Sequence, residues 1–262
     1  MTARRAQIAV QKSGRLTEHS LDILSRCGLK YSRGRDELVC YGENMPIDVL
    51  LVRDDDIPEL VREGVADLGI VGLNVADERR LALPVEERER CFESLGGVGY
   101  GHCRLCIAKP ADTPFDGPAS LAGRRIATTY PNLLTRYLTA EGIGDVEVVK
   151  FSGAVEIAPR LGKADFICDL VSSGNTLRAN QLEEVLTVMA SEAVLLRHGD
   201  TTRPAHEWID RLVQRMEGVL QVRESKYISR TSWCVHCAWP SLDGACYHLD
   251  WDRTEYSVEP DP

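Results

Sequence analysis

The sequence predicts an α/β protein built of two related lobes, and three observations carry that expectation. Short apolar strands alternate with helices of about ten residues, the pattern of strand–helix units around largely parallel sheets. A unit of glycine, any residue, alanine and aspartate occurs at Gly64-Val65-Ala66-Asp67 and again 98 positions later at Gly162-Lys163-Ala164-Asp165, each time ahead of an apolar strand. Beyond residues 172–176, two more apolar runs and a long helix follow, enough to bring the chain back to the first lobe.

Taken in order, Ile8 and Val10 alternate in a strand that ends at Gln11-Lys12-Ser13-Gly14-Arg15, and Leu16, Leu21, Leu24 and Cys27 then recur at helical spacing up to Gly28. In the next unit Asp56 is the expected capping carboxylate, Pro58 the early-turn proline and Glu59 its reciprocal partner, with Gly64 closing the helix. Leu68–Gly72 reads as a buried strand. Arg104–Ala108 and Arg125–Thr128 read as strands, and Asn132–Glu141 as a helix closed by Gly142. Val185–Met189 and Ala193–Leu196 are the two later runs, and residues 204–221 form the last helix. The expected division is 1–95 for the first part of lobe I, 96–183 for lobe II, 184–228 for the return to lobe I and 229–262 for an atypical tail. Two crossings, near residues 95 and 183, imply a hinged cleft, a common place for a small anionic ligand.

Composition excludes several classes. A chain of 262 residues that is 44% hydrophobic can bury a substantial core. Its formal charge of -9 and pI near 5.3 argue against nucleic acid or an anionic membrane as partner, since both need an extended basic face. No run of about 18 apolar residues occurs, and no long apolar core follows Met1, so a cytoplasmic location is expected. Nine cysteines at irregular spacing then read as reduced thiols.

The most informative segment runs from Glu156 to Leu177. It reads as a helix, a buried strand and a small-residue turn entering another helix. At such a turn backbone N–H groups and the hydroxyls of Ser172, Ser173 and Thr176 converge on a phosphate, and Gly174 lets the backbone approach closely. An equally ordinary reading of Ser172–Thr176 by itself is a helix cap with a hydroxyl turn. The spacing of Glu156, Gly162, Ala164, Ile167, Asp169, Leu170, Ser173, Gly174, Thr176 and Leu177 resembles the signature of ATP phosphoribosyltransferases. Gln11–Leu16, Glu43–Asp48, Arg53–Pro58 and Ala127–Pro131 resemble that family too, so the likeness covers residues 7 to about 228. It is nearer to the long form, whose members carry a C-terminal regulatory domain that binds histidine.

The resemblance implies a two-lobed type II periplasmic-binding-protein-like fold and the first reaction of histidine biosynthesis. N1 of ATP displaces pyrophosphate from phosphoribosyl pyrophosphate (PRPP), giving N1-(5-phosphoribosyl)-ATP, with magnesium (Mg2+) as cofactor and a homo-oligomer, dimer or hexamer, as the assembled form. It assigns PRPP to Asp169, Ser172, Ser173, Gly174, Asn175 and Thr176, and ATP or pyrophosphate to Lys12, Arg15, Arg53 and Arg104. Charge placement matters more than a reactive nucleophile in such a transfer. Arg15, Asp169 and Glu156 are the expected catalytic side chains. Asp169 would orient ribose hydroxyls or hold metal-bound water, and Glu156 would accept a proton from the adenine amino group or bond the backbone at Gly153.

Two other clusters have plainer readings. Asp54-Asp55-Asp56 is expected to be a cap with two solvated acids, because neighbouring residues do not share a face. His102, Cys103 and Cys106 are spread over both faces of a strand and are expected to pack. From about Ser229 the likeness stops, and Cys234, Cys237 and Cys246 with Trp233, Trp239 and Trp251 fill a short tail. A reading-frame change is the favoured origin, against a zinc site that includes His236 and His248 or a poorly packed tail. Histidine feedback is then expected to be lost.

Overall fold

The computed structural model describes residues 4–32, 34, 37–199 and 207–225, together with 247–248 and 257–258. Strand β1 (Ala6–Gln11) lies inside a six-stranded sheet, which is why Ile8, Ala9 and Val10 are all fully buried and polar alternation is absent. It pairs in parallel with β3 (Ile47–Val52) and β4 (Leu68–Gly72). With β2 (Val39–Cys40), β5 (Phe92–Gly97) and β11 (Ala193–His198) the order is β2-β3-β1-β4-β11-β5. The second sheet has the order β10-β6-β9-β7-β8, from β6 (Cys103–Pro110), β7 (Arg125–Thr128), β8 (Glu147–Lys150), β9 (Phe166–Val171) and β10 (Leu182–Ser191). Helices α1 (Thr17–Arg26), α2 (Ile57–Arg62), α3 (Leu73–Leu81), α4 (Val85–Arg88), α5 (Pro131–Ala140), α6 (Asn175–Ala179) and α7 (Glu207–Ser225) complete the described elements, apart from a short strand pair near the C-terminus.

Both sheets are mixed rather than largely parallel. In the first, β11 runs antiparallel to β4 and β5; in the second, β6 runs antiparallel to β9 and β10. These are the strands that carry the chain between sheets, and a strand that arrives by crossing need not enter in the direction set by a strand–helix unit. Apolar patterning reports burial and is silent on direction. The chain leaves the first sheet after Gly97, enters the second at Cys103, and returns through Glu192 alone, since β10 ends at Ser191 and β11 begins at Ala193. The return therefore lies beyond the expected residue 183. The two crossings are bonded to each other, Val98 N–H to the Ala193 carbonyl at 2.9 Å and Ala193 N–H to the Tyr100 carbonyl at 3.0 Å.

The repeated Gly-x-Ala-Asp units do the same work in each lobe. Gly64 and Gly162 turn the chain with φ of 70° and 67°, and Ala66 and Ala164 are buried. Asp67 accepts from Gln7 N–H at 2.8 Å and returns its own N–H to the Gln7 carbonyl at 2.8 Å. Asp165 makes the matching pair with Arg125, both bonds at 2.9 Å. Each aspartate thus clasps the start of the neighbouring parallel strand.

Two local expectations are corrected. Asp54–Asp56 form a 3-10 turn that runs directly into α2, so Asp56 has helical φ and ψ of -88° and -21° and makes no capping bond. A cap needs an extended backbone at that residue, and Glu59 pairs with Arg62 instead. The helix expected around Glu156 is only a 3-10 turn, Val155–Ile157, because Pro159 removes a donor one turn later. Gly64 and Gly142, at φ of 70° and 68°, do end helices as expected.

Close packing is visible at Gly69, whose missing side chain admits α2. A Cβ there would lie 2.6 Å from Ile57 Cγ2 and 2.8 Å from Val61 Cγ2. Gly69→Ala should cost about 1–3 kcal/mol through overpacking, measured as a lower urea midpoint at unchanged slope.

Contacts divide the chain after Val219; the second unit holds the end of α7 and the antiparallel pair β12 (Tyr247–His248) and β13 (Ser257–Val258). Cys234, Cys237, Cys246 and the three tail tryptophans lie outside the described residues, so the readings of that tail do too. Among the described residues, no helix is long and apolar enough to cross a membrane, and Cys27, Cys91, Cys103, Cys106 and Cys168 are free thiols.

Candidate active site

A cleft of about 320 Å³ opens between the two sheets. One wall comes from the first lobe: Gln11, Arg15 and Leu16 after β1, Asp54 after β3, and Gly72, Asn74 and Val75 after β4. The other comes from Tyr130, Glu156 and the run Asp169–Leu177 of the second lobe. Both walls are thus built mainly at the carboxyl ends of strands, where α/β sheets place their ligands.

The turn before α1 is shaped for Arg15. Gln11 Oε1 accepts from Leu16 N–H at 3.1 Å, and Gly14 has φ of 137° with the Gln11 side chain 2.8 Å from where a Cβ would stand. Only glycine fits there without strain. Arg15 then reaches across to donate to Cys103 Sγ at 3.2 Å.

Opposite, Ser172, Ser173, Asn175 and Thr176 are exposed around Gly174, which is left-handed at φ of 74°. Arg178 braces the turn by donating to the Ser173 carbonyl at 3.3 Å and to Asn175 Oδ1. The helix that follows, α6, has five residues, so its end charge is weaker than the sequence suggested.

Asp169 sits at the end of β9 behind this turn. Burial pushes its carboxyl up to about 6, and the nearby charge of Glu156 adds to the rise, while Leu170 N–H, donating at 2.8 Å, opposes it. Burial and then Asp55 raise Asp54 as well. Asp54 is therefore a cleft residue and not one of two solvated acids. Tyr130 is raised chiefly by burial, and its hydroxyl accepts from Asn74 Nδ2 at 3.1 Å.

Of the sequence-derived candidates, the fold brings Arg15, Glu156, Asp169 and Ser172–Thr176 into one cleft. Lys12, Arg53 and Arg104 do not line it. Lys12 and Arg53 are exposed and adjacent, following the paired ends Gln11 and Val52 of β1 and β3. Arg104 is no free cation. It donates to both carboxylate oxygens of Glu184, at 2.8 and 2.6 Å, and reaches the Ser172 carbonyl at 3.5 Å. His102 is exposed, 3.8 Å from Glu192, while Cys106 is buried with its thiol 3.0 Å from Glu184. Sequence reasoning missed Gln11, Asn74 and Tyr130 as cleft residues. Gln11 and Tyr130 stood inside segments already singled out, and Asn74 follows a strand-ending glycine, the one signal it offered.

The cleft lining holds one guanidinium, Arg15, against three carboxylates, Asp54, Glu156 and Asp169. Among the described residues, no group of three or more histidine, cysteine or acidic side chains is arranged to hold a metal ion. A cation carried in by a polyphosphate fits this set: it would balance the acids and meet Asp169 through its water shell.

Known proteins resemble the chain both in sequence and in fold. Residues 53–218 match the family model described as ATP phosphoribosyltransferase. A curated ATP phosphoribosyltransferase of Stenotrophomonas maltophilia (strain R551-3) is 51% identical over 227 residues, 86% of this chain and 74% of the relative. The fold is similar to that of an ATP phosphoribosyl transferase (HisG:HisZ) complex from Thermotoga maritima, with a TM-score of 0.67 at 24% identity, covering 82% of this chain and 98% of that one. A histidine kinase sensor domain with similarity to periplasmic binding proteins superposes with a TM-score of 0.55 at 16% identity, covering 88% and 96%, which supports the type II periplasmic-binding-protein-like architecture. Fold, matched family and a relative identical at half of the 227 aligned positions converge: the chain belongs to the ATP phosphoribosyltransferase family, enzymes that open histidine biosynthesis by transferring phosphoribosyl from PRPP to ATP.

Proposed function

We propose that the transfer takes place in the cleft between the lobes, with the turn Ser172–Thr176 holding the 5-phosphate of PRPP. The observation that carries this reading is the exposed hydroxyl turn at left-handed Gly174, facing Arg15 across the cleft with Asp169 directly behind it. A volume of about 320 Å³ is at the small end for ligand pockets and suits the phosphoribosyl group rather than two whole nucleotides. The remainder of ATP then lies at the rim, where Lys12 and Arg53 stand side by side.

In this arrangement the hydroxyls and amides of Ser172, Ser173, Asn175 and Thr176 fix one end of the sugar, and Asp169 accepts from its ribose hydroxyls. Arg15 faces the leaving pyrophosphate and stabilises the charge that develops as the bond from the anomeric carbon to oxygen breaks. Glu156 accepts from the adenine amino group, orienting N1 toward that carbon. Magnesium, when bound with PRPP, neutralises the pyrophosphate, and Asp169 would hold it through water. Arg104 serves the turn indirectly, by linking Glu184 to the Ser172 carbonyl.

The reading places the reaction in the cytoplasm, as a biosynthetic step that consumes ATP. It also places the chain in a homo-oligomer, a dimer or hexamer, for which exposed Ile157 and Leu161 supply apolar surface. Light scattering would give the mass.

The decisive assay incubates the full chain with ATP, Mg2+ and PRPP and follows the ultraviolet absorbance of the N1-substituted adenine. Thr176→Val removes one phosphate-facing hydroxyl and should weaken PRPP use by about 1–3 kcal/mol. Unchanged kcat/KM for PRPP would reject that assignment.

A further inference from the structure

One face of α3 in the first lobe grips the start of α5 in the second. Glu78 Oε1 accepts from Asn132 N–H at 3.0 Å and from Asn132 Nδ2 at 2.8 Å, and Oε2 accepts from Leu133 N–H at 2.9 Å. Helix α5 opens with Pro131, which has no N–H, and Tyr130 before it makes no side-chain capping bond. The first free amides of α5 are therefore satisfied by a carboxylate from the other lobe, placed where a helix favours negative charge. One turn earlier on α3, Asn74 is 2% exposed, donates to the Tyr130 hydroxyl at 3.1 Å and accepts from Ser191 Oγ at 2.8 Å. Residues four apart on one helix thus hold Tyr130–Leu133 at two points.

We propose that Glu78 is a positioning residue for the transfer: its bridge to α5 fixes the separation of the Arg15 wall from the wall formed by Asp169 and Ser172–Thr176. Helix α5 follows β7, and β7 is paired with β9, the strand that carries Asp169 into the phosphate turn. Parting the lobes on this side would strand two amides and a carboxylate, so the bridge resists widening of the cleft. The proposal rests on the cleft as the place of transfer.

The test compares Glu78→Ala, Glu78→Gln and Asn132→Asp in the full chain, reading KM for PRPP, kcat, melting temperature and hydrogen exchange at the Asn132 and Leu133 amides. Asn132→Asp gives α5 an acid of its own while repelling Glu78, so it severs the bridge without weakening the helix. In Glu78→Ala both amides should lose protection, and KM for PRPP should rise about 10- to 100-fold, the equivalent of hydrogen bonds to a charged group. Glu78→Gln, which keeps one acceptor, should fall in between. Asn132→Asp should raise KM with a melting temperature near that of the parent. The proposal is overturned if the amides stay protected in Glu78→Ala, or if protection is lost while KM holds. If Thr176→Val impairs PRPP use and the Glu78 variants do not, this inference fails alone; if Thr176→Val also has no effect, the placement of the phosphate turn fails with it.

Discussion

Asp169→Asn should give a protein that folds more stably and works poorly. Its carboxyl titrates near 6 because burial disfavours the charge, whereas an unfolded aspartate titrates near 3.9. The folded value is the higher one, so ionised Asp169 costs stability, and that cost grows as pH rises from about 4 to about 6 and is complete at pH 7. Asparagine escapes it while still accepting from Leu170 N–H, and should add about 1–3 kcal/mol at neutral pH by denaturant unfolding. On the role proposed for Asp169, as acceptor for ribose hydroxyls and metal-bound water, activity moves the other way, with kcat/KM falling about 10²-fold. The parent should lose activity below pH about 6 as Asp169 takes up its proton, and the variant should lack that limb. A variant of parental activity and unchanged stability would show that the buried charge serves no purpose.

Arg5→Met should be strongly damaging although it lies outside the cleft. Asp48 is 7% exposed at its side chain, and Arg5 donates to both its oxygens at 2.7–3.0 Å, with Gly42 N–H adding a bond at 3.1 Å. Burial alone would raise this carboxyl, and it is the bonds from Arg5 and Gly42 that hold it below the usual range. Without Arg5 an unpaired charge remains in the interior, and the loss should be about 2–3 kcal/mol, less than for a fully buried pair because Arg5 is partly in water. The pH dependence should also change sign. In the parent, the contribution of Asp48 is present above about pH 4 and fades as pH falls through its depressed value. In the variant the carboxyl is raised, so acidifying from pH 7 toward 5 should recover stability. Urea midpoints across that range decide the matter.

The turn at Ser172–Thr176 and its place in the cleft were legible because Asp169 and Ser172–Thr176 are contiguous, and because a glycine among hydroxyls states its backbone requirement directly. Asn74 and Tyr130 were not, since each owes its place to a strand end that meets the other lobe only in the fold. The partner of Arg104 was hidden for the same reason: Glu184 is eighty positions away and reaches it through the antiparallel pairing of β6 and β10. Charge on a strand end shows that a cation is available, but not whether the fold has already supplied its anion. Asp56 failed as a cap because the residue before a helix caps only from an extended backbone, and the preceding aspartates had begun to turn. The paired Gly-x-Ala-Asp units succeeded because glycine, alanine and aspartate are each demanded by one short turn.

The two crossings between the lobes also constrain how the molecule can move. Outbound, the chain has Gly99 and Gly101 at φ of 72° and 74°; inbound it has the single residue Glu192, and hydrogen bonds stitch the two together. A narrow ribbon of this kind resists stretching yet accepts torsion. Substrate entry should therefore register as a twist of one half against the other about that ribbon, with little gain in end-to-end length. Structures captured with and without nucleotide should differ in angle, not in span.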